Sequence, residues 1–249
     1  TELSNDLAGA SMTFNDTLTV TGGDREITTT GNSAFSGIEA DGSARTLTIS
    51  SDGVSTLGVA INDSDLSLAT DADGSTSLQA NITSAASVDF NDTLTLTGGN
   101  RAISVSGDAS FAGIQTDGSN RTLNINTSGT TTLSGSVASN RASVVTNAAG
   151  STVLSGSVSG NNLTFNDPVT LGADTTVTID TSLSFNSTLD SAAATTRDLT
   201  VEGAGAVLFA DAVGQTDTLD VLDVNKAALT TTIGDDITAR HLDFGGDVT

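Results

Sequence analysis

Residues 12 to 57 recur at 88 to 133, displaced by 76 positions, and this internal copy constrains the fold more than any other feature of the chain. The first copy carries Phe14-Asn15-Asp16-Thr17-Leu18-Thr19, Thr21-Gly22-Gly23, Arg25, Phe35, Gly37-Ile38, Asp41-Gly42-Ser43 and Arg45-Thr46-Leu47. The second carries Phe90-Asn91-Asp92-Thr93-Leu94-Thr95, Thr97-Gly98-Gly99, Arg101, Phe111, Gly113-Ile114, Asp117-Gly118-Ser119 and Arg121-Thr122-Leu123. A weaker third opens at Phe165-Asn166-Asp167 and runs through Phe185 and Arg197. An echo, Leu242-Asp243-Phe244-Gly245-Gly246-Asp247-Val248-Thr249, closes the sequence. Repetition of this kind marks stacked units that share one core. The units expected here are superunits at 1–87, 88–163 and 164–249 of one continuous body.

A shorter period lies inside the long one. Apolar anchors at Phe14, Phe35, Leu57, Leu78 and Phe90 are spaced by 21, 22, 21 and 12 residues. Those at Phe90, Phe111, Leu133, Leu154 and Phe165 repeat the series as 21, 22, 21 and 11. The third set continues less regularly through Phe185, Phe209 and Phe244. The unit is therefore a turn of about 21 residues, interrupted by one short step per superunit. Between anchors polarity alternates with period two, as in Leu47-Thr48-Ile49-Ser50, Leu123-Asn124-Ile125-Asn126 and Val177-Thr178-Ile179-Asp180. Such alternation predicts strands with Leu, Ile and Val inward and polar residues outward. Gly, Asn, Asp and Ser gather where the chain must turn, as at Asp71-Ala72-Asp73-Gly74.

The pattern predicts an all-β fold: an elongated parallel β-solenoid with rungs of about 21 residues, right-handed by the usual crossover preference. About eleven rungs at roughly 4.8 Å give a rod on the order of 50 Å long. Phe14, Phe35, Phe90, Phe111, Phe165, Phe185, Phe209 and Phe244 are its structural anchors, expected at one register in an internal ladder. The competing architecture is a series of tandem β-sandwich domains divided near residues 85 to 88, in which the 12-residue step is a hairpin. Composition favours the thin, layered solution, because a thick core of this size draws on more large aromatics than eight Phe with no Trp or Tyr.

The absence of cysteine excludes disulfides and thiolate chemistry. No apolar stretch approaches the ~20 residues of a membrane-spanning helix. The sequence opens at Thr1 with no signal-peptide pattern and closes without a lipid-anchor signal, which points to a segment of a longer precursor. Thirty acidic residues against eight basic ones give a formal net charge of −22. That charge repels nucleic acid and anionic membranes, attracts cations and keeps a long particle soluble. Lys226 is the sole lysine.

Arg45-Thr46-Leu47-Thr48-Ile49 with Leu57, and Arg121-Thr122-Leu123-Asn124-Ile125 with Leu133-Ser134-Gly135-Ser136-Val137, resemble the β-strand repeats of very large bacterial exoproteins. These include filamentous-haemagglutinin-like adhesins and autotransporter passenger regions. The resemblance covers most of residues 12 to 213 and rests on pattern. It implies a secreted or surface-exposed β-helical shaft engaged in adhesion or cell-surface assembly.

No catalytic residue and no cofactor site emerge from the sequence. His241 is the only histidine, and Arg240-His241-Leu242-Asp243 reads as an exposed position beside a strand. Asp71, Asp73, Asp235 and Asp236 are candidate oxygen ligands for Ca²⁺. They match neither an EF-hand loop nor a calcium-binding nonapeptide, and Asx turns account for them more simply. Arg25, Arg45, Arg101, Arg121 and Arg197 recur at matching places. They are expected to pair with carboxylates such as Asp24, Glu26 or Asp41 and fix corners between rungs. Outward Thr runs raise an ice-binding reading, but Asn126, Asp180 and Glu202 interrupt the array.

The function read from the sequence is a non-enzymatic shaft or spacer in a secreted adhesin or surface filament. The alternative is a carbohydrate-binding or carbohydrate-processing β-helix. The expected partners are flanking repeats of a longer parent chain, end-to-end copies of the chain and a host or cell-surface glycan, with no nucleic acid and no membrane insertion. Neither terminus reads as a polar cap, so exposed strand edges need covering.

Overall fold

The computed structural model describes residues 1–135, 137, 141–224 and 229–249. Lys226 and Ser136 lie outside the described residues. Every strand pairing among the described residues is parallel, including the isolated bridges Ile114↔Val137, Leu189↔Val213 and Val213↔Ile237. A sandwich joined by hairpins pairs its strands antiparallel. The chain is therefore an all-β parallel solenoid, and partner residues on successive turns are mostly 20 to 22 positions apart, as in Leu7↔Ile27, Leu66↔Arg45 and Ala109↔Thr131. Near the carboxy end the turns lengthen, as in Leu189↔Val213↔Ile237.

Strands stack in three columns, which form three faces. The first face begins with Glu2–Leu3, Leu18–Val20 and Ile38–Ala40. It continues from Ile61–Asn62 through Ile82–Ser84, Arg101–Val105, Arg121–Thr127 and Ala142–Thr146 to Asp247–Val248. Between Ile38–Ala40 and Ile61–Asn62 the backbone ladder breaks, and Asp63 Oδ2 accepts the Ala40 N–H instead at 2.6 Å. The second face runs from Leu7–Gly9 through Arg25–Thr29, Arg45–Ser51 and Leu66–Thr70. The third begins with Met12–Phe14, Ser33–Phe35, Val54–Leu57 and Ser75–Leu78. Four strands cross a corner and serve two faces each: Ser87–Leu96, which bends at Asn91-Asp92, with Ala109–Thr116 stacked on it, and Val158–Phe165, whose register shifts between Gly160 and Asn162, with Thr175–Phe185 stacked on it. With about thirteen stations on the first face, the rod is on the order of 60 Å long.

Inward and outward residues alternate as the sequence pattern requires. In Arg45–Ser51 the buried positions are Leu47, Ile49 and Ser51, and in Leu66–Thr70 they are Leu66, Leu68 and Thr70. Stacking places like on like, so Leu57, Leu78 and Leu96 follow Phe35 down the third face.

The phenylalanines do not form the single ladder expected from their common register. They form three, one on each face. Phe14 stacks on Phe35 on the third face at a ring-centroid distance of 5.3 Å, and Phe90 on Phe111 on the second at 5.9 Å. Phe165, Phe185 and Phe209 stack on the first at 5.3 and 5.5 Å. The 12-residue step explains the displacement. From Leu78 on the third face, the chain passes through Ile82–Ser84 on the first and reaches Phe90 on the second, two strands later. Each superunit thus adds eleven strand positions rather than twelve and begins one face back from its predecessor. After three superunits Phe244, opposite Val224, lies on the third face again, where Phe14 began. Phe14 and Phe244 are only partly buried because each lies in a terminal turn.

Candidate functional site

The repeated motif Phe-Asn-Asp builds a buried polar arrangement at the junctions between superunits. Asp92 lies where Ser87–Leu96 bends, and its carboxylate is buried beneath the corner at residues 71–74 of the preceding turn. Thr70, before that corner, donates its hydroxyl to Asp92 Oδ1 at 3.0 Å, and Thr76, after it, donates to Oδ2 at 2.7 Å. The Asn91 side-chain amide donates to the Thr70 carbonyl at 2.9 Å, while the Asn91 backbone N–H donates to Thr70 Oγ1 at 3.1 Å. The second junction repeats the set: Thr146 and Thr152 donate to Asp167, and the Asn166 side chain donates to the Thr146 carbonyl at 2.7 Å. One carboxylate therefore ties both sides of a corner to the turn beneath it. Burial raises the pKa of Asp92 and of Asp167 above the ordinary carboxylate value, against the opposing pull of the threonine hydroxyls.

Alternation and spacing in the sequence do not single out this junction. Its signal was present in the recurrence of Thr70 and Thr146, and of Thr76 and Thr152, each 76 residues apart. Thr is so common in outward strand positions of this chain that composition hides the buried ones.

The arginines act at the outer corners. Arg45 pairs with Asp41 at 3.0 Å, and Arg121 with Asp117 at 2.8 Å. The same carboxylates accept the backbone N–H of Gly22 and Gly98 from the preceding turn, at 3.3 and 3.1 Å. The hydrogen bond from Arg45 lowers the Asp41 pKa, and that from Arg121 lowers the Asp117 pKa. Asp24 and Glu26 instead accept from the Thr46 backbone N–H and the Ser50 hydroxyl. Arg101 uses its guanidinium on carbonyls, donating to Leu78 at 3.1 Å, to Asn100 at 3.0 Å and to Thr97. Arg25 likewise donates to the Asp24 carbonyl.

The candidate calcium ligands lie in two separate loops. Asp71 is half-buried and accepts the Ser51 backbone N–H at 3.2 Å, whereas Asp73 is exposed. Asp235 and Asp236 are exposed, and Asp235 Oδ1 accepts the neighbouring Asp236 N–H at 2.8 Å. Among the described residues no three His, Cys, Asp or Glu side chains converge as metal ligands, and no pocket opens on the surface. His241 is exposed on the strand Ala239–Phe244, the last on the third face, opposite Val221. No helix among the described residues is long and apolar enough to cross a membrane.

Ladders, corners and buried junctions together define an elongated all-β repeat protein of the parallel β-solenoid class. No protein-family model matches the chain, and neither a curated protein nor a solved structure does.

Proposed function

We propose that the chain is a structural shaft or spacer of a secreted bacterial adhesin or surface filament, carrying no catalysis of its own. The observation that carries this reading is the junction between superunits. A solenoid whose repeats are fastened by buried Asp–Thr clamps transmits load along its axis through parallel backbone ladders, without a weak seam where one repeat meets the next. The charge of −22 keeps such rods apart in solution and draws a diffuse cloud of counter-cations. The resemblance to large-exoprotein repeats supports an extracellular or cell-surface location, with flanking repeats as the neighbours of the two ends.

Pulling single molecules end to end, alongside a glycan-array screen of the same protein, tests the reading. A shaft resists as one mechanical unit and shows no selective glycan binding. Saturable binding to one class of polysaccharide, or its depolymerisation, overturns the reading in favour of a carbohydrate-active β-helix.

A further inference from the structure

The Phe-Asn-Asp motif occurs three times, but its clamp is closed only twice. At the first copy Asn15 and Asp16 are exposed, in contrast to the buried Asp92 and Asp167. Half of the missing partner set is nevertheless in place. Thr1-Glu2-Leu3 matches Thr76-Ser77-Leu78 and Thr152-Val153-Leu154, and it stacks in the same way: Glu2 and Leu3 lie opposite Thr19 and Val20, and the Thr1 carbonyl accepts the Thr19 N–H at 2.8 Å. What Asp16 lacks is the counterpart of Thr70 and Thr146, the threonine that ends the strand before the corner. Thr70 lies directly opposite Phe90, and Thr146 follows Val145, the partner of Thr164. The vacant position is therefore the one opposite Phe14.

The chain itself shows that the Asn-Asp pair and this threonine occur together. At the fourth, degenerate copy Gly245-Gly246 replaces Asn-Asp, and the residue opposite Phe244 is Val224 rather than Thr.

We propose that the amino-terminal end of the solenoid is the receiving half of this clamp, and that it takes a further parallel β-turn whose strand closes on a threonine opposite Phe14. A second copy of the chain stacked head to tail does not meet that requirement, since its carboxy-terminal strand on this face, Ala239–Phe244, contains no threonine. The exposed Leu7, the wholly exposed strand Leu7–Gly9 and the half-buried Phe14 form the apolar part of the same surface. The inference goes beyond the shaft reading and is independent of it, because a glycan-binding solenoid needs the same end covered.

The test is to join residues 55–75 of this chain directly ahead of Thr1, so that the added Thr70 precedes Thr1 by the interval that separates Thr70 from Thr76. A parallel extension carries Thr70→Val, and the unextended chain is the reference. Hydrogen exchange at the Asn15 backbone amide is the readout, with the Asn91 and Asn166 amides of the same molecules as closed-clamp standards. The threonine extension is expected to slow Asn15 exchange by about tenfold or more, and the valine extension is expected not to. Unchanged exchange with the threonine extension, or equal protection with valine, overturns the proposal. If head-to-tail copies are the true occupant, the unextended chain shows Asn15 protection that rises with protein concentration, which also overturns it.

Discussion

At the scale of single residues, stability rests on inward side chains that meet their own kind on the next turn. Phe111 is about as buried as a side chain can be and stacks on Phe90. Phe111→Ala is expected to cost about 3–5 kcal/mol by urea unfolding, the range for removing a buried aromatic ring. Phe14→Ala, at the half-covered start of its stack, costs visibly less. The clamp carboxylates give a pH signature. Their pKa values are raised in the folded state, so the native chain holds protons that the unfolded chain has released, and their contribution is fully present below the ordinary value of 3.8. That contribution is lost as pH rises through the raised values. Asp92→Asn with Asp167→Asn keeps acceptors for the threonine hydroxyls and removes the charge. Thermal unfolding from pH 4 to 8 is therefore expected to show a variant that gains stability relative to the parent as pH increases. Asp41 and Asp117 act in the opposite sense: held low by arginine, they add stability above the ordinary carboxylate value and lose it as pH falls through their lowered values.

At the scale of elements, the corners decide which residues are tolerated. Gly74 and Gly150 occupy equivalent corners at φ +67° and +77°, and a Cβ at either would lie 2.2 or 2.1 Å from a carbonyl oxygen of the preceding turn. Gly150→Ala should therefore cost more than the ~1–2 kcal/mol of a left-handed backbone alone, because the stacked backbone must also move. A thermal melt in which Gly150→Ala matches the parent would refute that account. Strands and corners were legible in advance, since alternation of Leu, Ile and Val with Thr and Asn, broken by Gly and Asp, has one reading at this period. The clamp was not, since nothing in Thr70 or Thr76 distinguishes a hydroxyl turned inward from the many turned out.

At the scale of the whole molecule, the superunit is the interchangeable part. Each adds eleven strands on three faces, so removal of one rotates everything beyond it by a face yet presents the same junction. Deleting residues 89–163 is expected to leave a folded solenoid in which Thr70 and Thr76 clamp Asp167. By small-angle scattering the rod should be shorter by about 18 Å, the height of three and two-thirds turns. Unfolding or aggregation of the deletion variant would mean that the superunits are not equivalent.

The turn length and the identity of the inward apolar residues are properties of the sequence alone, because a side-chain period of two and a repeat near 21 admit few ways to bury the apolar set, whereas the parallel stacking that separates a solenoid from tandem sandwiches shows only in the strand pairings of the folded coil. Which face each repeat occupies is a different matter. The anchors repeat after 76 and then 75 residues, but the backbone closes a turn mostly every 20 to 22 residues and shares each turn among three faces. Only the folded coil shows that the 12-residue step spans two strands. That mismatch splits the phenylalanines into three stacks, and stacking alone brings the second and third Phe-Asn-Asp motifs beneath the two threonines that hold each carboxylate.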